Sequence, residues 1–578
     1  MSNPIYITDL SVCEPGTALS PEARKGRWSV WDYETHEHKG VQMSGKMLYA
    51  NAQVEPPPVT LKLGRSGWHA IYLGFYYSDF PNSHAVRVRL TGDRSFHRVQ
   101  AETTSAKDGN HTEQNINYSL LAETLWRTAD LTGQDLVISR PNPKGLAARQ
   151  GYTSLAYVKL VPLSEADLKD HRRLTSTPET RRLIAVFDGA FGGGWWPESK
   201  EELYEDIDPL ADTDVDILLC TMARFDITYY PSRIGEMRSL KRAFYHQEYM
   251  AQAQVLAQMQ KKGLDMLRIY IDRAHTHGLR FYATNRPAGP HPPPFHLTGE
   301  GPLYRKHPEF RCVTQSGQSV PHLSFAFPEV RRRLIDLLRE QAEAGADGVS
   351  IMFNRSHPWV LFEEPAWAAF AKKHPGADRA KLDPIDEGWC RHKAGYLTAL
   401  ARELREAMDE VGRQQGRRIG IGHMVMGTDR SRLYFGIDTE AWMREGLVDF
   451  LIVHPYNYHE RPFPGGDESV ERAVRELRPT ADETGVKVYA DVYPRRIPGH
   501  VYLDRARALY GAGADGLAYW DIETRVNRKS EWFTSSRMGH VDMLDDWPLD
   551  LNSHFDRIPL KSVAGLVTDR AYSGHTNG

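Results

Sequence analysis

From Leu183 onward, short unbroken apolar runs alternate with segments whose apolar residues recur every three or four positions. Eight of the runs read as strands: LIAVFD (183–188), VDILLCT (215–221), LRFYATN (279–285), GVSIMFN (348–354), RIGIGH (418–423), DFLIVH (449–454), VKVYAD (486–491) and GLAYWD (516–521). Several are continuously apolar, as parallel strands buried on both faces must be. Between them, EVRRRLIDLLREQAEAG (329–345) and GYLTALARELREAMDEVG (395–412) carry the helical period. The fourth and eighth strands share one approach, GADG (345–348 and 513–516), which suits a helix-ending glycine followed by an Asp turn. Strand–helix alternation predicts a parallel sheet. Eight repeats favour a closed (β/α)8 TIM barrel over the alternative, an open doubly wound sheet. The glycines at 192–194 lack the GxGxxG spacing of a dinucleotide loop.

Residues 1–165 show a different pattern. GWHAIYLGFYY (67–77), HAVRVRLTG (84–92) and TSLAYVKLVPL (153–163) are β-branched or aromatic runs bounded by turn residues, with little helical period. An all-β jelly-roll or β-sandwich domain is expected there. The polar stretch 166–182 reads as a linker, 183–545 as the barrel, and 546–578 as a tail whose PLKSVAGLVTD (559–569) suits a strand docking on either domain.

Composition narrows the function classes. The 72 basic and 75 acidic side chains leave a net charge of -3, so neither a nucleic-acid nor a membrane-surface partner is implied. The four cysteines are scattered, without CxxC or Cys/His metal spacing, so no cofactor or metal is expected. No basic-then-apolar leader opens the chain and no run reaches a membrane-spanning length, so a cytoplasmic location is the expectation. A homo-oligomer is compatible with all of this.

In such barrels the chemistry sits where strand C-termini meet the following loops. Those positions here hold Asp188, Arg224, Asp226, Asn285, Arg286, Asn354, Arg355, His357, Glu363, Glu364, His423, His454, Tyr456, Asp491, Tyr493, Trp520, Asp521 and Glu523. Carboxyls, hydroxyl-binding Arg, Asn and His, and aromatic faces (Trp520, Trp359, the tyrosines) together suit glycosidic bond cleavage, which needs one protonated and one ionised carboxyl. Asp491 is the first candidate for nucleophile or base, with Glu363 or Glu364 as acid; Asp521 and Glu523 form the alternative pair. Asp188, Arg224, Asn285, Arg286, Asn354, Arg355, His357, His423, His454, Tyr456, Tyr493 and Trp520 are candidate substrate contacts.

Each candidate also has a plainer reading. Asp491 pairs with Arg495, or Asp521 or Glu523 with Arg525. Glu363 and Glu364 stabilise the N-terminus of the helix AWAAFAKKH. Asp188 braces the glycine-rich loop, and His423 and His454 are satisfied core histidines. The long third loop, from Asn285 to about Phe325, reads as a rigid wall of the cleft, and its His291 and His296 lack evident metal partners.

Residues 322–411, with HLSFAFPEVRRRLIDLL, GADGVSIMFNRSHPWVLFEEPAWAAFAKKHPG and RHKAGYLTALARELREAMDE, resemble bacterial glycosyl-hydrolase-like barrel proteins related to family 10. The front domain, ending AYVKLVPLS, is similar to the jelly-roll domain that often precedes such barrels. The resemblance implies carbohydrate hydrolysis at the strand C-termini and brings Asn354, Arg355 and Glu363 into the site. One departure stands out. The retaining glycosidases with acids on strands four and seven carry Asn-Glu at strand four, and here Arg355 follows Asn354. A lyase in which Arg224, Arg286 and Arg355 neutralise a uronate, and a non-catalytic glycan-binding barrel, are the alternatives.

Overall fold

The computed structural model describes residues 3–51, 54–77, 85–100, 120–141, 152–188, 196–240, 247–287, 301–355, 357–455, 469–495, 497, 499–547 and 555–568. Eight parallel strands form the barrel: β1 (Leu183–Phe187), β2 (Val215–Arg224), β3 (Arg280–Arg286), β4 (Gly348–Ile351), β5 (Gly420–Met426), β6 (Phe450–His454), β7 (Lys487–Asp491) and β8 (Gly516–Trp520). Each pairs with its sequence neighbour, and β1 pairs with both β2 and β8, which closes the ring.

The interior is filled by side chains such as Val186, Leu219, Tyr282, Met352, Ile452, Tyr489 and Trp520. Bulky rings fit because small residues face them: a Cβ at Gly348 or Gly420 would collide with Tyr282. Outside the ring, α1 (Pro328–Glu343), α2 (Glu387–Gln415) and α3 (Val470–Thr484) press amphipathic faces on the sheet. Helix α2 starts earlier than its apolar period suggests, because the Asp386 carboxylate caps the Trp389 N–H.

The turn aspartates before the even strands are clamps. Asp347, Asp449 and Asp515 accept the backbone N–H of Phe281, Ile421 and Val488 at 2.8, 2.7 and 2.9 Å. Each thereby ties the start of β4, β6 or β8 to the odd-numbered strand before it. The GADG repeat is this device, with Gly345 and Gly513 at φ 115° and 101° ending the helices.

The front domain is two antiparallel sheets. The larger has Trp68–Tyr77 between Tyr157–Pro162 and Leu120–Asp130, and the smaller runs Val59–Leu61, Leu136–Ser139, Ala85–Leu90, His97–Gln100. Inward residues from both, including Ile71, Phe75, Val86, Val88 and Ile138, share one core. The molecule is thus a TIM barrel with a β-sandwich domain. The tail strand Phe555–Val563 inserts between Leu120–Asp130 and Trp28–Thr35 of the sandwich. Arg87 and Arg98 of the sandwich ion-pair with Glu205 and Asp206 behind β1, and Gln100 N–H donates to the Asn527 carbonyl at 2.8 Å. Residues 165–173, which overlap the stretch read as a linker, form a helix with a Ser164–Asp167 capping box. No described helix is long and apolar enough to cross a membrane.

Candidate active site at the barrel mouth

Strands β6, β7, β8, β1 and β3 bring one set of residues together at their C-terminal ends. Alternation along each strand puts Asp188, Arg286, His454, Asp491 and Trp520 on the interior-facing register. Asp491 is buried, with 1% of its surface exposed. Its Oδ2 lies 2.6 Å from His454 Nδ1, and its Oδ1 accepts the Trp520 N–H at 3.2 Å. The expected pairing with Arg495 is therefore not made: the His454 ring and the β8 backbone hold Asp491.

Arg495 pairs instead with Asp521. Asp521 ends β8 in the left-handed region (φ 54°), an uncommon conformation for a side-chain-bearing residue that swings the chain into the short helix Ile522–Arg525. Among the described residues Arg525 pairs with no carboxylate: its guanidinium donates to the Trp520 and Val492 carbonyls and to the Tyr502 hydroxyl. Asp188 is bonded from β3, where Arg286 Nη1 donates to its two oxygens at 2.9 and 3.2 Å; the glycine-rich loop at 189–195 lies outside the described residues.

Electrostatics separate these carboxyls. Burial raises the Asp521 pKa; Arg495 opposes and Asp188 adds to the rise. Burial lifts Glu523 well above the ordinary carboxyl range, with Asp521, Asp188 and Asp206 adding to it. Glu523 Oε2 is buried and has no hydrogen-bond partner among the described residues. Two such neighbours cannot both ionise at low cost, so the Asp521–Glu523 pair retains a proton into a range where isolated carboxyls have lost theirs.

Trp520 is fully buried. The guanidiniums of Arg355 and Arg495 lie 5.1 and 5.7 Å from its ring centroid, and the His454 ring 5.2 Å away. It is the floor under two cations rather than an open stacking face, which corrects the sequence reading. Trp359 is likewise buried among Phe353, His357 and Phe435. Asn354, 2% exposed three residues beyond β4, has neither amide atom hydrogen-bonded among the described residues.

Several candidates lie elsewhere. Glu363 is sequestered: Ser324 Oγ and the Leu361 N–H donate to Oε1, and the Val313 and Leu361 N–H groups to Oε2. Burial raises its pKa even so. A carboxyl that accepts four hydrogen bonds from three donors, in its own loop and in or just after the 311–323 hairpin, is a structural anchor, not a free acid. Glu364 is exposed in the first turn of the helix Glu364–Lys373. Asn285 is spent on Phe225, its amide bonding that residue's N–H and carbonyl at 3.0 and 2.8 Å.

His423 is not at a strand end, because β5 runs on to Met426. It packs edge-on against Phe353 and Trp442 and accepts the Ile351 N–H at 3.1 Å, with burial pushing its pKa down to about 3. It is a neutral core histidine. Asp226 is fully buried, capping the Leu303 N–H and pairing with Arg333.

Arg224 closes β2 with its Nη1 2.6 Å from the Tyr249 hydroxyl, at the edge of the mouth. His357 rests on Phe435 at 4.3 Å, its pKa lowered to about 4 by burial and His322. Tyr493 is 40% exposed at the rim, 6.5 Å from the His454 ring. Tyr456, His291 and His296 lie outside the described residues. The described part of the third loop is ordered by the helix Pro302–Lys306 and the hairpin of Arg311–Val313 with Ser319–Leu323.

Sequence reading missed two features. Arg495 was read only as a structural partner for Asp491, not as a mouth residue paired with Asp521. Thr284 and Ser350, on the same strand faces as Arg286 and Met352, have buried hydroxyls without partners among the described residues. Two-residue alternation from Tyr282 and Met352 would have found them.

No family model matches the chain, and no curated protein matches it. Solved structures of similar shape include alpha-L-fucosidase isoenzyme 2 from Paenibacillus thiaminolyticus, with 13% identity and a TM-score of 0.40 over 64% of this chain and 50% of that one. The PgaB (BpsB) glycoside hydrolase domain from Bordetella bronchiseptica aligns at 15% identity and a TM-score of 0.36, over 60% and 95% of the two chains. The alpha-galactosidase TtGalA from Thermus thermophilus aligns at 15% and 0.34, over 92% and 99%. The chain spans half the length of the fucosidase. Likeness at these scores assigns no residue a role.

Proposed function

We propose that this protein is a glycoside hydrolase working at the C-terminal mouth of its barrel. One observation supports the reading: Asp491, held by His454, accepts the Trp520 N–H, and the chain just after Trp520 carries Asp521 and Glu523, a carboxyl pair whose proton burial retains. Hydrolysis of an acetal needs that asymmetry, an ionised carboxylate as nucleophile or base and a protonated one as acid. Asp491 takes the first role, and the Asp521–Glu523 pair supplies the acid. His454 fixes the Asp491 carboxylate, and Arg495 orients Asp521.

The test is turnover. The protein is incubated with a panel of aryl glycosides and oligosaccharides, neutral and acidic, and aglycone or reducing-end release is followed. Cleavage of at least one substrate, lost in Asp491→Asn with the fold retained, supports the proposal. No cleavage across the panel, or an Asp491→Asn variant with unchanged kcat/KM on a cleaved substrate, sinks it.

A further inference from the structure

We propose that the mouth selects a sugar acid: a pyranoside whose ring carries a carboxylate, bound by the Arg355 guanidinium beside the Asn354 amide. The inference rests on the mouth being the carbohydrate site.

Pairing of charges around the mouth leads to it. Asp188 is taken by Arg286, Asp521 by Arg495 and Asp491 by His454. Glu523 holds back its charge through burial and its acidic neighbours. Arg224 is engaged with Tyr249. Arg355 is left as a half-buried cation that forms no close ion pair among the described residues; it lies 5.1 Å from the Trp520 ring centroid and feels the Asp521 carboxyl only at longer range. The indole face stabilises the guanidinium and limits its orientations without consuming its hydrogen-bonding fork.

That fork matches a carboxylate in two parallel N–H···O bonds, which a neutral hydroxyl cannot accept in the same geometry. The next residue back, Asn354, adds an unpartnered donor and acceptor at 2% exposure. An amide buried without partners is costly, and such groups are retained where a ligand completes them. A carboxylate takes the amide donor, and an adjacent ring hydroxyl can donate to its oxygen. The arginine that displaces the expected glutamate after Asn354 thus gains a purpose: it exchanges a reacting carboxyl at strand four for a receptor of the substrate's own.

The experiment measures binding and turnover separately. Methyl glycosides of glucuronic, galacturonic and mannuronic acid, with their neutral counterparts, are titrated calorimetrically into the full chain, Arg355→Met, Arg355→Lys and Asn354→Asp, each checked for an unchanged melting transition. Expected is binding of at least one uronide in preference to its neutral counterpart. That preference should fall about tenfold or more in Arg355→Met, recover only in part in Arg355→Lys, and fall in Asn354→Asp through like-charge repulsion.

A preference for neutral sugars, no binding of any uronide, or a preference unchanged in Arg355→Met overturns the inference. Hydrolysis of neutral glycosides alone would do so while leaving the proposed hydrolase standing. Uronide binding lost in Arg355→Met without hydrolysis, or with release of an unsaturated product absorbing in the ultraviolet, would keep this inference and sink hydrolysis.

Discussion

The two ends of the barrel use the same residue types to opposite effect. At the N-terminal end, Asp347, Asp449 and Asp515 each accept a backbone N–H from the neighbouring strand and meet a basic side chain: His275 and Arg417, Arg418, or Arg478 and Lys487. Their bonds are complete and partly exposed. At the C-terminal end, burial is deeper and bonding less complete. Asn354, the Trp520 indole N–H, Arg286 Nε and Glu523 Oε2 are buried without partners among the described residues. Satisfied charges hold the barrel together, whereas unsatisfied ones are held ready by it.

That contrast predicts how the ends respond to mutation. Asp491→Asn should lower turnover roughly a hundredfold to ten-thousandfold while the melting transition moves little, since the amide still accepts the Trp520 N–H. Steady-state kinetics beside a melting curve checks both halves. Asp449→Ala should do the reverse. Losing the acceptor for Ile421 N–H and the partner of Arg418 costs about 1–3 kcal/mol of stability, with kcat unchanged. If Asp449→Ala abolished turnover at temperatures where it stays folded, the division between the ends would be wrong.

Glu363→Gln extends the comparison to a carboxyl above the barrel. One of its two acceptor oxygens becomes a donor facing donors, so about 1–3 kcal/mol of stability should be lost. Per folded molecule, activity should persist. A catalytic acid would behave oppositely, losing turnover and keeping stability.

Glu523 gives a pH signature. Its folded-state pKa lies well above the ordinary 4.5, so the folded chain holds a proton that the unfolded chain releases. Stability from this group is therefore complete below about 4.5 and is lost as pH rises through the folded-state value. Glutamine mimics the protonated form. Glu523→Gln should match the parent at low pH and become progressively the more stable as pH rises, in denaturant titrations at stepped pH. A difference independent of pH would mean that Glu523 is ionised throughout.

The barrel was legible because all its strands are short apolar runs bounded by turns, a pattern that local reading resolves. The site was legible only where a strand's last residue is also its last inward-facing one, as with Asp491 and His454. His423 misled because β5 continues to Met426 and its inward register runs through Met424, so His423 faces outward against Phe353 and Trp442. Glu363 misled because its donors Ser324 and Val313 come from a hairpin some 40 to 50 residues earlier in the chain. The Arg495–Asp521 pairing was hidden for a related reason. Arg495 follows β7 in the chain, yet the carboxylate it meets is Asp521 after β8, at the left-handed turn there. The tail strand was visible, but its docking edge was not, since alternating apolar residues suit any open sheet edge.

The smallest effect sharpens the contrast most cheaply. Glu364 adjoins Glu363 but is exposed, and no other side chain is seen to bind its carboxylate among the described residues. Its contribution is the attraction of a negative charge to the helix N-terminus, worth about 0.3–1 kcal/mol and weakened by salt. Glu364→Gln should therefore lower the melting transition slightly at low ionic strength, by less in high salt, and leave turnover untouched. The two neighbouring glutamates would then differ because one is enclosed by donors and the other by water. A Glu364→Gln variant with normal stability but lost turnover would instead return the acid to strand four and remove the role assigned to Asp521 and Glu523.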